Sequence, residues 1–577
     1  MPANTEEPAM TEPTLQHLCD AVSAERMMAD LAEFARWVKL SGTPDELNSL
    51  RHVRAQLDAA GFSTTLLSHD AYISLPGAAR LQVGQVGAWT PHAITHSFSR
   101  PSPKGGLTAE VVYVKAGTPA DLAAHDVRGR ILLVDGIASP AVSLRASEAG
   151  AAGQIHISPD EHPHEMCISP VWGSPTDEAL ARLPSTVVLS VGAADGAILK
   201  RRIAGRERLP ATLHAEVDTR WRATPVLVAE LAADEDAPFV LFSGHHDTWY
   251  YGVMDNGSAN ATMLEAARLL QSHRASFRRG LRICFWSGHS HGRYAGSAWY
   301  ADSHWDELNR RCVAHVNVDS TGGVGASVLA DVPVSAELRP LGREAVLAQA
   351  GQHLEGGRMK RAGDESFWGI GLPAMYMCMG EQPADGQASA MAAIMGGGGK
   401  RSAGLGWWWH TPHDTLDKID PDNLVRDTRV YVHTLWRLLT DDALPLDYRE
   451  TAADLGAELQ ALAGKLGGRF DLSPLLARVA ALAEAAGHLG GDPARVNAAL
   501  MAAGRALVPL DYTTGDRFSH DPALAQAPWP VLDKLRALAE AAPGSDAAKF
   551  LTVAATRARN RLGFALDQAT AALRAAA

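Results

Sequence analysis

Histidine and aspartate recur at the ends of apolar runs. His245, His246 and Asp247 follow the run 239–242, and Asp255 stands in the loop beyond. His289 and His291 follow the run 281–286, and Asp319 follows the run 313–318. His410 comes directly after Trp407, Trp408 and Trp409, with Asp414 four residues on. A single histidine at a strand end is usually structural, but several such clusters at equivalent ends point to a metal centre. Imidazole and carboxylate together suit first-row metals such as Zn, Fe, Mn, Co, Ni or Cu. The same loops are aromatic: Trp249, Tyr250 and Tyr251 lie between two ligand candidates, and Trp408 and Trp409 run into His410. Three successive tryptophans cannot all face one core, so some of them line a cavity, which favours an apolar or planar substrate.

The elements that must position these residues alternate. Buried strands are expected at 239–242, 281–286, 313–318 and 372–377, with an amphipathic helix at 259–272. Strands separated by helices make a largely parallel sheet covered on both faces, and in such sheets sites form at the carboxyl ends of the strands. Before this region, 14–60 has helical spacing and 62–67 reads as a short strand. Residues 96–224 differ: short apolar runs such as 111–114, 131–134 and 154–157 sit between turns, with a helix expected at 146–153 and a long loop at 159–184. After about 445 the chain is rich in alanine and leucine at helical spacing, with helices expected at 472–489, 496–507, 531–541 and 547–576, which make a bundle suited to packing or dimerisation. Residues 1–15 read as a disordered tail. The glycine-rich stretch 395–401 lacks the spacing of a phosphate loop and reads as a flap over the site.

Composition excludes several classes. The 577 residues are 46% hydrophobic and 20% charged, ordinary for globular domains. A net charge of −12 argues against nucleic acid as a partner. No apolar run is long enough for a membrane span. The five cysteines form no paired framework, which fits a reducing, cytoplasmic setting.

The motifs H-x-D at His245 and Asp247, D-N-x-S at 255–258, N-x-D at Asn317 and Asp319, and H-T-x-x-D-T at 410–415 resemble those of the zinc-dependent aminopeptidase and glutamate carboxypeptidase family in its longer, transferrin-receptor-like form. The resemblance extends over nearly the whole chain. It implies an α/β aminopeptidase-like (phosphorylase/hydrolase-like) mixed sheet sandwiched by helices, formed by 16–95 and 225–445. It further implies an inserted β-rich protease-associated domain at 96–224 and a C-terminal helical dimerisation domain at 446–577, hence a homodimer. Residue by residue, His245 and Asp319 bind a first metal, Asp255 bridges, His410 binds a second, and Asp247 and Asp414 support the ligands from behind.

One motif departs. The family has a Glu-Glu pair after its strand, the first a general base and the second a ligand. Counting back from Gly296 and Ser297 puts Ser290 and His291 there; counting forward from Trp286 puts His289 and Ser290 there. The first register is preferred because it keeps a competent ligand. A serine hydroxyl is not basic near neutral pH, so His289 or His246 takes over proton transfer, with Glu365 a further candidate. The usual tyrosine before the last ligand is Trp409. The stretch 521–530 has neither lysine nor tyrosine, which speaks against recognition of a C-terminal glutamate.

The expected activity is metal-dependent hydrolysis of an amide or peptide-like C–N bond in a small, apolar or aromatic substrate through a metal-bound hydroxide. One or two divalent ions, Zn first among them, serve as cofactor. Two alternatives stand beside it: a lyase or oxygenase on the same sheet, and a non-catalytic binding homologue.

Overall fold

In the structure, a computed structural model, residues 13–84, 89–205, 208–232, 236–384 and 404–577 are described. Most of the expected tail and the stretch 395–401 lie outside these residues. A helix, Pro13–Asp20, already begins within the span assigned to the tail.

The sheet that carries the chemistry is built around β8 (Phe239–His245), β9 (Gly280–Trp286), β10 (Cys312–Asn317) and β11 (Ala374–Met375). β8 runs parallel to both β9 and β10, and β10 is parallel to β11. Beyond β9 the direction reverses. β7 (Pro210–Leu231) pairs antiparallel with β9, and β1 (Ser63–Val83) pairs antiparallel with β7. The sheet is therefore mixed.

Period-two alternation fixes the two cores. Val240 and Phe242 of β8, with Leu281, Ile283 and Phe285 of β9, face the helices Ala24–Phe34, Ala259–Gln271 and Pro421–Thr440. Phe239 and Leu241, with Cys284 and Trp286, face the opposite way into a cluster with Tyr300, Leu308 and Phe367. Continuous apolar runs of this kind are what a sheet covered on both faces requires.

The 21-residue β1 and 22-residue β7 form one long ribbon. The later half of β7 joins β9, and its first residues pair with β3 (Leu107–Tyr113). From β3 a second run of parallel strands continues through β4 (Ile131–Asp135), β5 (Gly153–Ile157) and β6 (Val187–Val191), with β2 (Ile94–Thr95) antiparallel at the edge. This part has its own core, including Ile131, Leu133, Ile155, Leu189 and Leu213. The helices Tyr448–Leu466, Ser473–Ala486, Pro493–Tyr512, Asp533–Glu540 and Asp546–Arg574 follow the sheet.

Several expected elements differ in extent. The strand expected at 62–67 continues to Val83, because pairing with β7 holds residues too polar to be recognised as a strand by themselves. The strand expected at 372–377 is two residues, Ala374–Met375. The helix expected at 146–153 starts earlier, at Pro140, where the Ser139 hydroxyl accepts the Val142 N–H as an N-cap. The helix Tyr448–Leu466 precedes the four expected after 445.

Among the described residues no helix is long and apolar enough to cross a membrane. All five cysteines are free and buried.

Phe242 is fully buried between sheet and helices. Phe242→Ala is expected to cost roughly 3–5 kcal/mol of stability, read from urea denaturation.

Candidate metal centre and active site

β8 ends on His245. Asn317 of β10 is level with Ser243 of β8, so Asp319, two residues further, comes level with His245. Residue 244 must be glycine for the strand ends to meet: a Cβ there would lie 2.6 Å from the Val318 carbonyl oxygen. Asp255 sits on the turn Val253–Ser258. The Asp414 carboxylate accepts the N–H of Met254 at 2.8 Å and of Asp255 at 3.0 Å, which fixes that turn. Burial pushes the Asp414 carboxyl up to about 7 while these two donors pull it back. The Asn256 amide donates to the carbonyls of His245 and Val318, at 3.3 and 3.2 Å, and so ties the turn to both strand ends.

His410 arrives from the other side with a left-handed backbone, φ +57°. Its Nδ1 lies 2.6 Å from the Glu165 carbonyl oxygen, and the Glu165 N–H donates to the His410 carbonyl at 3.1 Å. His245 Nδ1 is likewise 2.8 Å from the Asp247 carbonyl oxygen. A carbonyl oxygen only accepts, so both rings carry a proton on Nδ1, and in the neutral imidazole Nε2 offers a lone pair. His245 Nε2 faces Asp255 Oδ1 at 3.1 Å and Asp319 Oδ2 at 3.6 Å, and His410 Nε2 faces Asp255 Oδ2 at 3.0 Å.

Acceptors converging in this way call for a cation. His245 Nε2 and Asp255 Oδ1 are buried and lack a hydrogen bond despite their proximity. Burial opposes charge on both groups. The carboxylates of Asp255 and Asp319 nevertheless hold the His245 imidazolium well above its usual range, and the two imidazoles hold the Asp255 carboxyl far below its own. The donor set, imidazole nitrogen with carboxylate oxygen, fits a first-row divalent ion.

Comparison with known proteins places the chain beside metallopeptidases. Residues 227–435 match Peptidase family M28. The chain is zinc-aminopeptidase- and glutamate-carboxypeptidase-like. The Probable glutamate carboxypeptidase VP8 of Zea mays is 26% identical over 361 residues, 52% of this chain and 50% of that protein. A glutamate carboxypeptidase 2 homolog of Caenorhabditis briggsae is 25% identical over 306 residues, 40% of this chain and 39% of that protein. The chain thus spans about half or less of the length of these curated relatives. Among solved structures, the aminopeptidase from Aneurinibacillus sp. strain AM-1 superposes with a TM-score of 0.55 at 21% identity, covering 74% of this chain and 96% of that one. The peptidase M28 precursor from Shewanella amazonensis SB2B gives 0.57 at 19%, covering 73% and 95%. These superpositions establish the aminopeptidase-like fold.

Where the aminopeptidase-like sheet carries its departure, the structure chooses between the two registers. Gly288, at φ +80°, turns the chain out of β9 into the short helix His289–Gly292. The Asp247 carboxylate accepts the N–H of His289 at 3.2 Å and of Ser290 at 2.9 Å. His289, Asp319 and His245 each bring a donor atom within 4.8 Å of the others. Of the histidines in this turn, the structure brings His289 beside His245 and Asp319, whereas the sequence-based preference is His291. The ring of His289 lies face to face with His245, 14° from parallel and 3.7 Å between centres. Its Nδ1 is 2.9 Å from Asp364 Oδ2, and the other oxygen of this buried carboxylate accepts the Ser297 hydroxyl at 2.8 Å.

Other expected residues fall elsewhere. His291, expected as a ligand, is fully buried with Nδ1 on the Ser41 hydroxyl at 2.9 Å and its ring 4.3 Å from that of Trp249. Among the described residues it joins no set of three converging donors. His246, expected to move protons, points into the core: Nδ1 meets Asn260 Oδ1 at 2.7 Å, and Phe34 and Phe285 pack edge-on against the ring. Burial holds its pKa down to about 3. Glu365 pairs with buried His315 at 3.3 Å, away from His289; its neighbour Asp364 is the carboxylate that reaches the centre. Ser290 Oγ is buried without a partner.

The aromatic residues divide. Trp249 packs between His291 and His410, and Trp409 stacks on His410 with 3.3 Å between ring centres. Trp408, expected in the pocket wall, is a core residue whose indole N–H points at Met254 Sδ. The Tyr250 hydroxyl bonds the Glu165 carboxyl, which burial pushes up to about 8. The side chains left open are Tyr251, 43% exposed, and Trp407, 41% exposed.

Sequence reasoning misses three contributors: Asp364, Ser41 and Glu165. Ser41, whose hydroxyl donates to Asp247 at 2.6 Å, and Glu165, which acts through its backbone carbonyl, carry no sequence signal for such roles.

Because His246 is neutral in the fold, the unfolded chain takes up a proton that the folded chain refuses at pH values between about 3 and 6.5. The stability contributed by keeping His246 neutral is thus present above about 6.5 and is lost as the pH falls toward 3. The gap between the wild type and His246→Asn in urea denaturation is expected to narrow across that window, while divalent-ion content stays unchanged.

Proposed function

We propose that this chain is a metal-dependent hydrolase of an amide or peptide-like C–N bond. The observation that carries the reading is the convergence of His245 Nε2, Asp255 and Asp319 at the end of β8, with His289 alongside. His245, Asp255 and Asp319 hold a divalent ion, zinc in the first instance, with His410 on the far oxygen of Asp255. When bound, such an ion supplies Lewis-acid polarisation of the scissile carbonyl and a water of lowered pKa. His289 Nε2 takes the proton from the attacking water and returns it to the leaving nitrogen. Asp364, on Nδ1, fixes the tautomer that makes this transfer possible and stabilises the imidazolium that forms. Buried surroundings strengthen that contact.

The substrate class is a small compound with an apolar or aromatic group. It is supported by the open rings of Tyr251 and Trp407, which stand two and three residues from Trp249 and His410. We read 96–224 as a protease-associated domain and 446–577 as the dimerisation domain. Support for a homodimer comes from the helix Asp546–Arg574, where Phe550, Val553 and Phe564 are 75%, 56% and 65% exposed and share one face at helical spacing. Free, buried cysteines fit a reducing compartment.

His289→Ala is expected to lower kcat on amide substrates by about 10²–10⁴ with ion content unchanged. Asp364→Asn lowers kcat in the same direction with little change in KM. Loss of the ion in His289→Ala would instead make His289 a ligand. Phe550→Asp combined with Phe564→Asp is expected to convert a dimer to a monomer in light scattering.

A further inference from the structure

The Asp255 carboxylate points its two oxygens at two imidazoles, but the two sides are not equivalent. On the His245 side three donors meet: His245 Nε2, Asp255 Oδ1 and Asp319 Oδ2. On the His410 side there are two, His410 Nε2 and Asp255 Oδ2. By the family resemblance the residue after the general base is the second ion's third ligand; with His289 as the base that residue is Ser290, which offers only a neutral hydroxyl. His291, the remaining imidazole of that turn, has Nδ1 on the Ser41 hydroxyl and Nε2 without a hydrogen bond among the described residues, and Trp249 packs against both its ring and that of His410. Among the described residues, the three donors that come within 4.8 Å of one another are those of His245, His289 and Asp319, and His410 is not among them.

We propose that this chain holds one divalent ion, on His245, Asp255 and Asp319, and no second ion between Asp255 and His410. The proposal rests on the hydrolase reading above and adds the number and place of the ion. Two cations sharing a single carboxylate repel one another at short range, and among the described residues Asp255 is the one carboxylate paired with His410. The ligand carboxylates number two, Asp255 and Asp319, which match the charge of one divalent ion. The Glu165 carbonyl holds His410 Nδ1, which places Nε2 3.0 Å from the outer oxygen of Asp255 while the inner oxygen stays aimed at the ion.

The test is ion stoichiometry on the full chain. Protein stripped with a chelator is titrated with Zn²⁺ alone by calorimetry and with Co²⁺ alone by visible absorption, and bound metal is counted by elemental analysis. The wild type is expected to saturate at one ion per chain. His410→Ala keeps that one ion, with weaker binding, and Asp319→Asn loses it. Ser290→Glu, which supplies a carboxylate on the His410 side, raises the count to two, and thermal melting confirms that the variant is folded. Two ions bound together by the wild type would overturn the proposal, and a fall to one in His291→Ala would return His291 to the ligand set. A wild type that binds neither metal overturns the hydrolase reading itself, a failure distinct from a count of two.

Discussion

Two hydrogen bonds, each from an imidazole Nδ1–H to a backbone carbonyl, decide the character of the centre. The Asp247 carbonyl holds His245 and the Glu165 carbonyl holds His410. Each bond turns an Nε2 toward Asp255 from an opposite side. A buried carboxylate between two such rings is costly unless positive charge is brought in. The strand ends, the turn pinned by Asp414 and the Gly244 contact keep these groups close. The centre is thus biased toward cation binding by backbone geometry more than by the side chains themselves.

Around that core lies a second hydrogen-bonded pair. His289 and Asp364 form a carboxylate–imidazole pair whose far nitrogen reaches the place beside the ion. The pair is held at both ends. Backbone N–H to Asp247 fixes His289, while Ser297, itself 2.9 Å from Ser366, fixes Asp364. The Trp172 indole donates to Ser366, so the region 96–224 reaches this network as well.

The parts legible in the sequence are those set by periodicity and by residue type at strand ends. His245, Asp255, Asp319 and His410 can be read because they sit in the exit loops of apolar runs or directly after an aromatic one. The choice between His289 and His291 cannot, because counting from Trp286 and counting from Gly296 give registers one residue apart, and only the folded turn shows which imidazole lies beside His245. Asp364 is hidden beside Glu365: two adjacent carboxylates look alike in sequence, and only the backbone direction sends one to His289 and the other to His315. His246 is misread for the same reason, since neighbours on a strand point to opposite faces. The long β1 escapes because its half-exposed residues lack the apolar run that marks β8 and β9.

The bond from His410 to Glu165 joins residues 245 positions apart. A contact of that span carries a large loop-closure cost and forms late relative to local structure. Glu165 is synthesised long before His410, so on the ribosome the early strands can pair while the centre still lacks one of its walls. During that interval the turn bearing Asp255 also waits for Asp414, four residues beyond His410. The chemistry of this chain is therefore armed only at the close of folding, when the last third of the polypeptide threads its loop of tryptophans against a segment laid down near the beginning. A nascent chain released early would carry β8 and β9 intact and remain inert.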